Sequence, residues 1–115
     1  MKSTSVGKAP KFEPVKGAEM ALIGDGVNMT LTRIHIQPGA VFPDHSHPNE
    51  QIGICVEGRG VLISGGESIK VKPGMAWTIP AGEAHSFEAE GDTPTIILEA
   101  WSPPREDYRK LAGIA

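Results

Sequence analysis

The sequence lacks the features that mark several large classes of protein. It has a single cysteine, Cys55, so no disulfide can form within the chain. No apolar run approaches the roughly 20 residues of a membrane-spanning helix, and the first fifteen residues lack the apolar core of a signal peptide. The net charge of −3 provides no basic surface for a nucleic acid. We therefore expect a cytoplasmic protein without a membrane or nucleic-acid partner.

Glycine and proline, in contrast, are abundant. The 115 residues suffice for one domain, and they include 14 Gly and 10 Pro, which is well above average usage. Because 39% of the residues are hydrophobic, this excess indicates frequent turns between short strands rather than disorder. It argues against a helical bundle.

Turn residues recur at short intervals along the chain, which is typical of an antiparallel all-β domain. Between them, the sequence predicts seven strands, over 27–36, 50–56, 60–63, 67–71, 76–79, 85–90 and 95–101. Such strands fit a sandwich or a closed barrel. A short C-terminal helix is predicted over 105–112. Residues 1–15 are predicted to form an N-terminal arm, either loose or dependent on a partner subunit, and residues 16–115 to form the domain.

Two of the four histidines, His45 and His47, are separated by one residue. In an extended chain side chains alternate between faces, so these two would share a face with Asn49 and Gln51. Two imidazoles on one face can bind a divalent metal, whereas the alternative is a polar turn with surface histidines. A barrel could bring a third histidine, His85, opposite the pair.

The spacing of these residues resembles two motifs of the cupin family. The first is matched by Gly39, His45, His47, Gln51 and Gly58, and the second by Gly74, Pro80, Gly82 and His85, with Ala89 at a usual Asn position. The resemblance implies a small cupin β-barrel of the RmlC-like jelly-roll type. It also implies a homodimer and one divalent metal ion per chain (Zn, Ni, Fe, Mn or Cu), bound by His45, His47, residue 51 and His85.

Residue 51 departs from the cupin motif, which usually has an acidic ligand there. Glu50 stands immediately before Gln51, and a carboxylate is the commoner type of ligand. Strand parity favours Gln51, because Glu50 would lie on the opposite face unless a bulge intervenes. A neutral set of three imidazoles and one amide would leave the ion its full positive charge, which favours Lewis-acid chemistry and an anionic substrate.

Two segments, 45–58 and 101–108, resemble the small cupins of pectin and alginate degradation, which open 4,5-unsaturated uronates to linear keto sugars. By position, Glu99 stands where that group has a catalytic Asp, Trp101 where it has Phe, and Arg105 where it has Arg. The resemblance implies catalytic roles for Glu99 and Arg105. It also implies that Trp101 and Arg105 bind the substrate.

The pattern of the last strand agrees with these roles. Alternation places Glu99 and Trp101 on one face among apolar residues, where a glutamate is costly unless it has a partner or a task. Inside a barrel its pKa would rise, which suits proton transfer near neutral pH. Arg105 could bind a carboxylate through two hydrogen bonds. The alternatives are a solvent-facing Glu99, a surface ion pair of Arg105 with Glu106 or Asp107, and a Trp101 that only fills the core.

Together these features predict a metal-dependent enzyme of the hydratase or isomerase type that acts on a small carboxylated sugar. Ring opening of an unsaturated uronate is the specific hypothesis, which would place the protein in carbohydrate metabolism. Two alternatives stay open. One is a metal-dependent dioxygenase, and the other is a cupin that binds a small ligand without turnover.

Overall fold

The structure, a computed structural model, describes residues 1–114. Its elements are β1 (Lys11–Val15), β2 (Ala18–Asp25), β3 (Thr30–Ile36), β4 (Val41–His45), β5 (Glu50–Glu57), β6 (Arg59–Ser64), β7 (Glu67–Val71), β8 (Ala76–Ile79), β9 (His85–Glu90), β10 (Thr95–Ser102) and α1 (Glu106–Leu111). All seven predicted strands are present, with ends that differ by at most three residues. The helix is one residue shorter at each end than predicted.

Three strands were not predicted. β2 contains an apolar run without alternation, which does not by itself distinguish a strand from a helix. β4 contains Pro43, and a proline is tolerated there because β4 is an edge strand. β1 lies within the predicted arm, where few large apolar residues indicate a strand.

The segment predicted as an N-terminal arm contains β1. Lys11–Val15 pairs with β2 of the same chain, with Phe12 opposite Met20, so this segment needs no partner subunit to form a strand. Phe12 also packs against Tyr108 of α1, with ring centroids 5.3 Å apart. This contact joins distant parts of the sequence. The pairing with β2 places the last five residues of the predicted arm in the sheet.

The strands form two antiparallel sheets. The six-stranded sheet has the order β1-β2-β3-β10-β5-β8, and the four-stranded sheet has the order β4-β9-β6-β7. Apolar side chains from both sheets pack between them, among them Met20, Ile34, Ile36, Leu62, Ile79, Phe87 and Ile97. The predicted all-β barrel with a short C-terminal helix is therefore confirmed. No helix within residues 1–114 is long and apolar enough to cross a membrane.

The inner face of β10 explains how a glutamate enters the core. Thr95, Ile97, Glu99 and Trp101 are buried, while the residues between them are partly exposed. β10 lies in the middle of the six-stranded sheet, between β3 and β5. A side chain on its inner face therefore points into the space between the two sheets, and Glu99 shares this space with the apolar core.

Candidate metal centre and catalytic site

The structure brings the three predicted histidines together. His45 ends β4 and His85 begins β9, and the two residues are direct partners in the four-stranded sheet. His47 lies in the connection between β4 and β5. The potential ligand atoms of the three side chains all lie within 4.8 Å of one another. This separation is close enough for one metal ion to be shared.

Each imidazole is oriented by a backbone carbonyl two residues away in sequence. The Nδ1–oxygen pairs are His45 with Pro43 (2.7 Å), His47 with Asn49 (3.0 Å) and His85 with Glu83 (2.9 Å). A carbonyl can only accept, so we infer that each Nδ1 carries the hydrogen and each Nε2 a lone pair. The Nε2 of His85 is buried and has no hydrogen-bond partner within residues 1–114. These lone pairs are a donor set that fits a divalent metal.

The charge state of His47 and His85 agrees with a metal-binding role. Burial lowers the pKa of both His47 and His85, and the positive charge of Arg105 adds to the effect. Both rings are consequently neutral at neutral pH. The neutral imidazole is the form that binds a metal ion.

Gln51 lies beside the histidines, whereas Glu50 is exposed, as strand parity predicted. The Oε1 of Gln51 accepts a hydrogen bond from the indole of Trp101 (3.0 Å), and its Nε2 donates to the carboxylate of Glu99. These two bonds fix the orientation of the amide, and Oε1 lies 2.9 Å from the Nε2 of His47. Two lone-pair atoms this close repel unless a cation or a proton interacts with both. The arrangement therefore suits two ligands of one ion.

Asn49 differs from the expectation that it would share a face with the histidines. Residues 46–49 connect two strands instead of continuing one, so strict alternation does not hold there. The side chain of Asn49 is directed to the carbonyl oxygen of Pro103. Gln51 is the first residue after this connection that points inward.

Glu99 is only 8% exposed, so its side chain does not face solvent and that alternative is wrong. Its Oε2 accepts hydrogen bonds from the Nε2 of Gln51 and from the indole of Trp77 (3.3 Å). Burial raises the pKa of Glu99 from 4.5 to about 7, against the opposing effect of these bonds and of Arg105. At neutral pH the carboxyl group is therefore populated in both protonation states, which suits proton transfer.

The contact of Trp77 with Glu99 was not predicted. Trp77, Gly53 and Glu99 lie in one row across β8, β5 and β10. A side chain at position 53 would collide with the indole of Trp77, so the glycine lets the ring lie across β5 and reach the carboxylate. A glycine inside a strand often marks such a close approach, and this was the available signal.

Arg105 immediately precedes α1 and is only 6% exposed. Its Nε and Nη2 donate to the carboxylate of Asp107 at 2.9 and 2.8 Å, while its buried Nη1 has no partner within residues 1–114. The guanidinium lies over the ring of Tyr108, 3.7 Å from its centroid. The predicted ion pair with Asp107 is present, but it engages a buried arginine. The two N–H groups of Nη1 are left for a ligand.

Trp101 is buried, in agreement with the alternative that this side chain fills the core. Its ring packs edge-on against Tyr108 at 5.3 Å, and its N–H orients Gln51.

The polar residues of the site share one cavity of about 30 Å³ with apolar side chains. The polar part of its lining consists of His45, Gln51, His85, Glu99 and Arg105. This volume is on the order of one water molecule. A larger ligand would therefore bind toward the half-exposed His45 and His47.

The fold has close counterparts among solved structures. KdgF from Halomonas sp. aligns with a TM-score of 0.86 at 21% identity, covering 94% of this chain and 98% of that chain. An RmlC-like cupin from Shewanella frigidimarina aligns with a TM-score of 0.85 at 20% identity, covering 94% and 96%. At these identities the likeness shows the fold.

Sequence comparison gives the family. Among curated proteins, 5-nitrosalicylic acid 1,2-dioxygenase from Bradyrhizobium sp. is 36% identical over 62 residues, which are 54% of this chain and 30% of that protein. The chain spans less than two thirds of the length of the curated relatives it matches. The family model of the cupin domain matches residues 32–101, more than half of the chain. In agreement with its motifs and its two-sheet barrel, the chain belongs to the cupin family.

Proposed function

We propose that this cupin is a metal-dependent hydratase or isomerase that opens the ring of a 4,5-unsaturated uronate. One observation carries the proposal: the imidazoles of His45 and His85, the buried carboxyl of Glu99 with a pKa of about 7 and the buried guanidinium of Arg105 all line one cavity. The substrate has a carboxylate, a ring oxygen and an enol ether that must take up a proton. Each of these groups has a chemical counterpart in the site. The resemblance of segments 45–58 and 101–108 to the pectin and alginate cupins also supports this substrate class.

The metal ligands would be the Nε2 atoms of His45, His47 and His85 together with the Oε1 of Gln51. Zinc, nickel, iron, manganese and copper all accept such ligands. When bound, the ion would supply Lewis acidity toward the carboxylate and ring oxygen of the substrate. The identity of the metal is a matter for direct analysis of the purified protein.

The protein's own residues account for the proton and the charge. Protonated Glu99 donates its proton to the enol-ether carbon that lies away from the ring oxygen. Water adds to the carbon that bears the ring oxygen, and its proton returns to Glu99. The resulting hemiketal opens to a linear keto sugar, so atoms balance and Glu99 is regenerated. The Nη1 of Arg105 donates one hydrogen bond to the substrate carboxylate.

Loss of the conjugated double bond provides the assay. Metal-loaded protein is incubated with an unsaturated uronate, and the ultraviolet absorbance of the double bond is followed. Glu99→Gln should lower kcat by about a hundredfold or more, the usual contribution of general acid–base catalysis. Glu88→Gln, at an exposed strand position, controls for the loss of one negative charge. No acceleration by the metal-loaded wild type over buffer would overturn the proposal.

A dioxygenase is the second candidate function. The three-histidine group and the match to the Bradyrhizobium dioxygenase favour it. Iron-loaded protein would be tested with salicylate in an oxygen electrode, since ring opening of a uronate consumes no oxygen. Oxygen uptake without uronate turnover would favour this candidate. Tight binding with unchanged ligand recovered would indicate a binding protein without turnover.

We also propose that the chain forms a homodimer through the outer face of its six-stranded sheet. Leu31, Ile52, Ile54 and Val56 are 40–51% exposed there, and Leu98 lies between them opposite Ile54. A contiguous apolar surface of this kind is typical of an interface. Light scattering should show a dimer for the wild type and for Val27→Lys, an exposed control outside the sheet, but a monomer for Ile54→Lys. A monomeric wild type would contradict the proposal.

A further inference from the structure

We infer that Asn49 is a positioning residue that joins the metal-binding loop to the segment that carries Arg105. The inference rests on the proposed metal-dependent function, because it concerns how two parts of that site are held together. It concerns a side chain that contacts neither the histidine nitrogens nor the carboxyl of Glu99.

The hydrogen bonds of Asn49 reach both parts of the site. Its backbone carbonyl accepts the Nδ1–H of His47 at 3.0 Å, which orients that ring. Its side-chain amide donates to the carbonyl oxygen of Pro103 at 2.5 Å, with the carbonyl of Pro104 at 3.4 Å. One buried residue thus holds a histidine of the donor set and the two prolines directly before Arg105.

The segment before Arg105 depends on such side-chain contacts. Pro103 and Pro104 have no N–H group, so they cannot donate to a neighbouring strand. Arg105 itself donates its backbone N–H to the hydroxyl of Thr30 at 3.1 Å. Asn49 and Thr30 therefore hold the segment from two sides, one through the proline carbonyls and the other through the arginine amide.

The same residues form two walls of one surface groove. His47, Pro48 and Asn49 line one side, and Pro103, Pro104 and Arg105 line the other. The bond from Asn49 to Pro103 is a direct side-chain connection between these walls. Without it, no side-chain bond would join the two walls, and only the pairing of β5 with β10, which ends at Glu50 and Ser102, would hold them together. His47 and Arg105 would then be less firmly held relative to each other. A ligand that contacts both the metal and Arg105 would then lose affinity.

The test uses binding and does not require turnover. Co²⁺ affinity is measured by chelator competition in wild type and Asn49→Ala, and acetate affinity is measured from the visible spectrum of the Co²⁺-loaded proteins. We expect Asn49→Ala to weaken Co²⁺ binding by up to about tenfold, the lower end of the effects seen when a group that positions a metal ligand is lost. The backbone carbonyl that orients His47 remains in this variant, but its loop loses the side-chain bond to Pro103. Acetate binding should weaken in parallel, because Arg105 is less firmly held relative to His47.

Ser102→Ala is the matched control. It removes a side-chain hydrogen bond from the same segment, to the carbonyl of Asn28 at 2.7 Å, but leaves the connection to His47 intact. Both affinities should match the wild type in this variant. If Asn49→Ala does not fold, Asn49→Ser replaces it, because the shorter side chain ends too far from Pro103 for a direct bond.

Two results would overturn the inference. One is a folded Asn49 variant with unchanged Co²⁺ and acetate affinities, which would leave Asn49 a purely structural role. The other is a change in Co²⁺ affinity alone, which would show that Asn49 does not connect the two walls. Neither result depends on uronate turnover. Failure of ring opening would overturn the proposed function and leave these measurements valid.

Discussion

The stability of the metal-free protein should depend on pH through Glu99. The pKa of this carboxyl rises from 4.5 to about 7 on folding, chiefly because burial removes water from the charged form. Between these values the folded chain holds a proton that the unfolded chain has released, so the free energy of unfolding falls as the pH rises. One pH unit corresponds to about 1.4 kcal/mol, so the whole interval costs about 3 kcal/mol.

Glu99→Gln removes this cost while keeping the shape of the side chain. Its amide oxygen can still accept the hydrogen bonds from Gln51 and Trp77. Near pH 4.5 the variant should be about as stable as the wild type. Near pH 8 it should be more stable by about 3 kcal/mol. Burial lowers the pKa of His47 and His85, which costs stability as the pH falls, but this effect is common to both proteins and cancels in the difference.

Urea unfolding followed by circular dichroism, in the presence of a chelator, measures this difference across the pH range. Glu88→Gln removes a charge from an exposed position of β9 and serves as the control. A difference between Glu99→Gln and wild type that stays constant with pH would refute the reasoning. It would mean that folding does not raise the pKa of Glu99.

Three further predictions test other parts of the structure. His85→Ala should abolish metal retention in untagged protein, as measured by elemental analysis, and retained metal would place the site elsewhere. Asp107→Ala should destabilise the protein by at least about 1 kcal/mol. Solvent screens the carboxylate of Asp107, which is 60% exposed, but the substitution leaves the buried Arg105 without this partner. Arg105 lowers the pKa of Asp107, so this difference should vanish as the pH falls through that pKa. Ile36→Ala should lower the free energy of unfolding by about 2–5 kcal/mol in urea titrations, and Ile63→Ala, at an exposed position, by far less.

The histidine group could be predicted because its signals are local. The spacing of His45 and His47 indicated a pair on one face, although β4, which His45 ends, was not predicted. His85 follows the Pro80-Ala81-Gly82 turn, which placed it at the start of a predicted strand. The inward direction of Glu99 followed from alternation over a long and uninterrupted strand. Alternation failed for Asn49, because the residues between β4 and β5 do not form a strand.

The contacts around these residues could not be predicted, because they depend on which strands are neighbours. Trp77 reaches Glu99, 22 positions away, only because β8 and β10 flank β5 at Gly53. Asn49 and Pro103 are 54 positions apart, and their bond requires the end of β10 to lie beside the loop before β5. The sequence contains no pairing rule that specifies these neighbours.

The amide at position 51 is consistent with the carboxyl at position 99. Gln51 offers an acceptor toward His47 and, at the same time, a donor toward Glu99. A glutamate at position 51, the usual cupin residue, would offer acceptors in both directions and would place two carboxylates against each other in a buried site. Such a pair cannot remain fully ionised without a large cost. The neutral amide of Gln51 therefore allows a buried acid directly beside it, where Glu99 can donate a proton and still be held by Gln51.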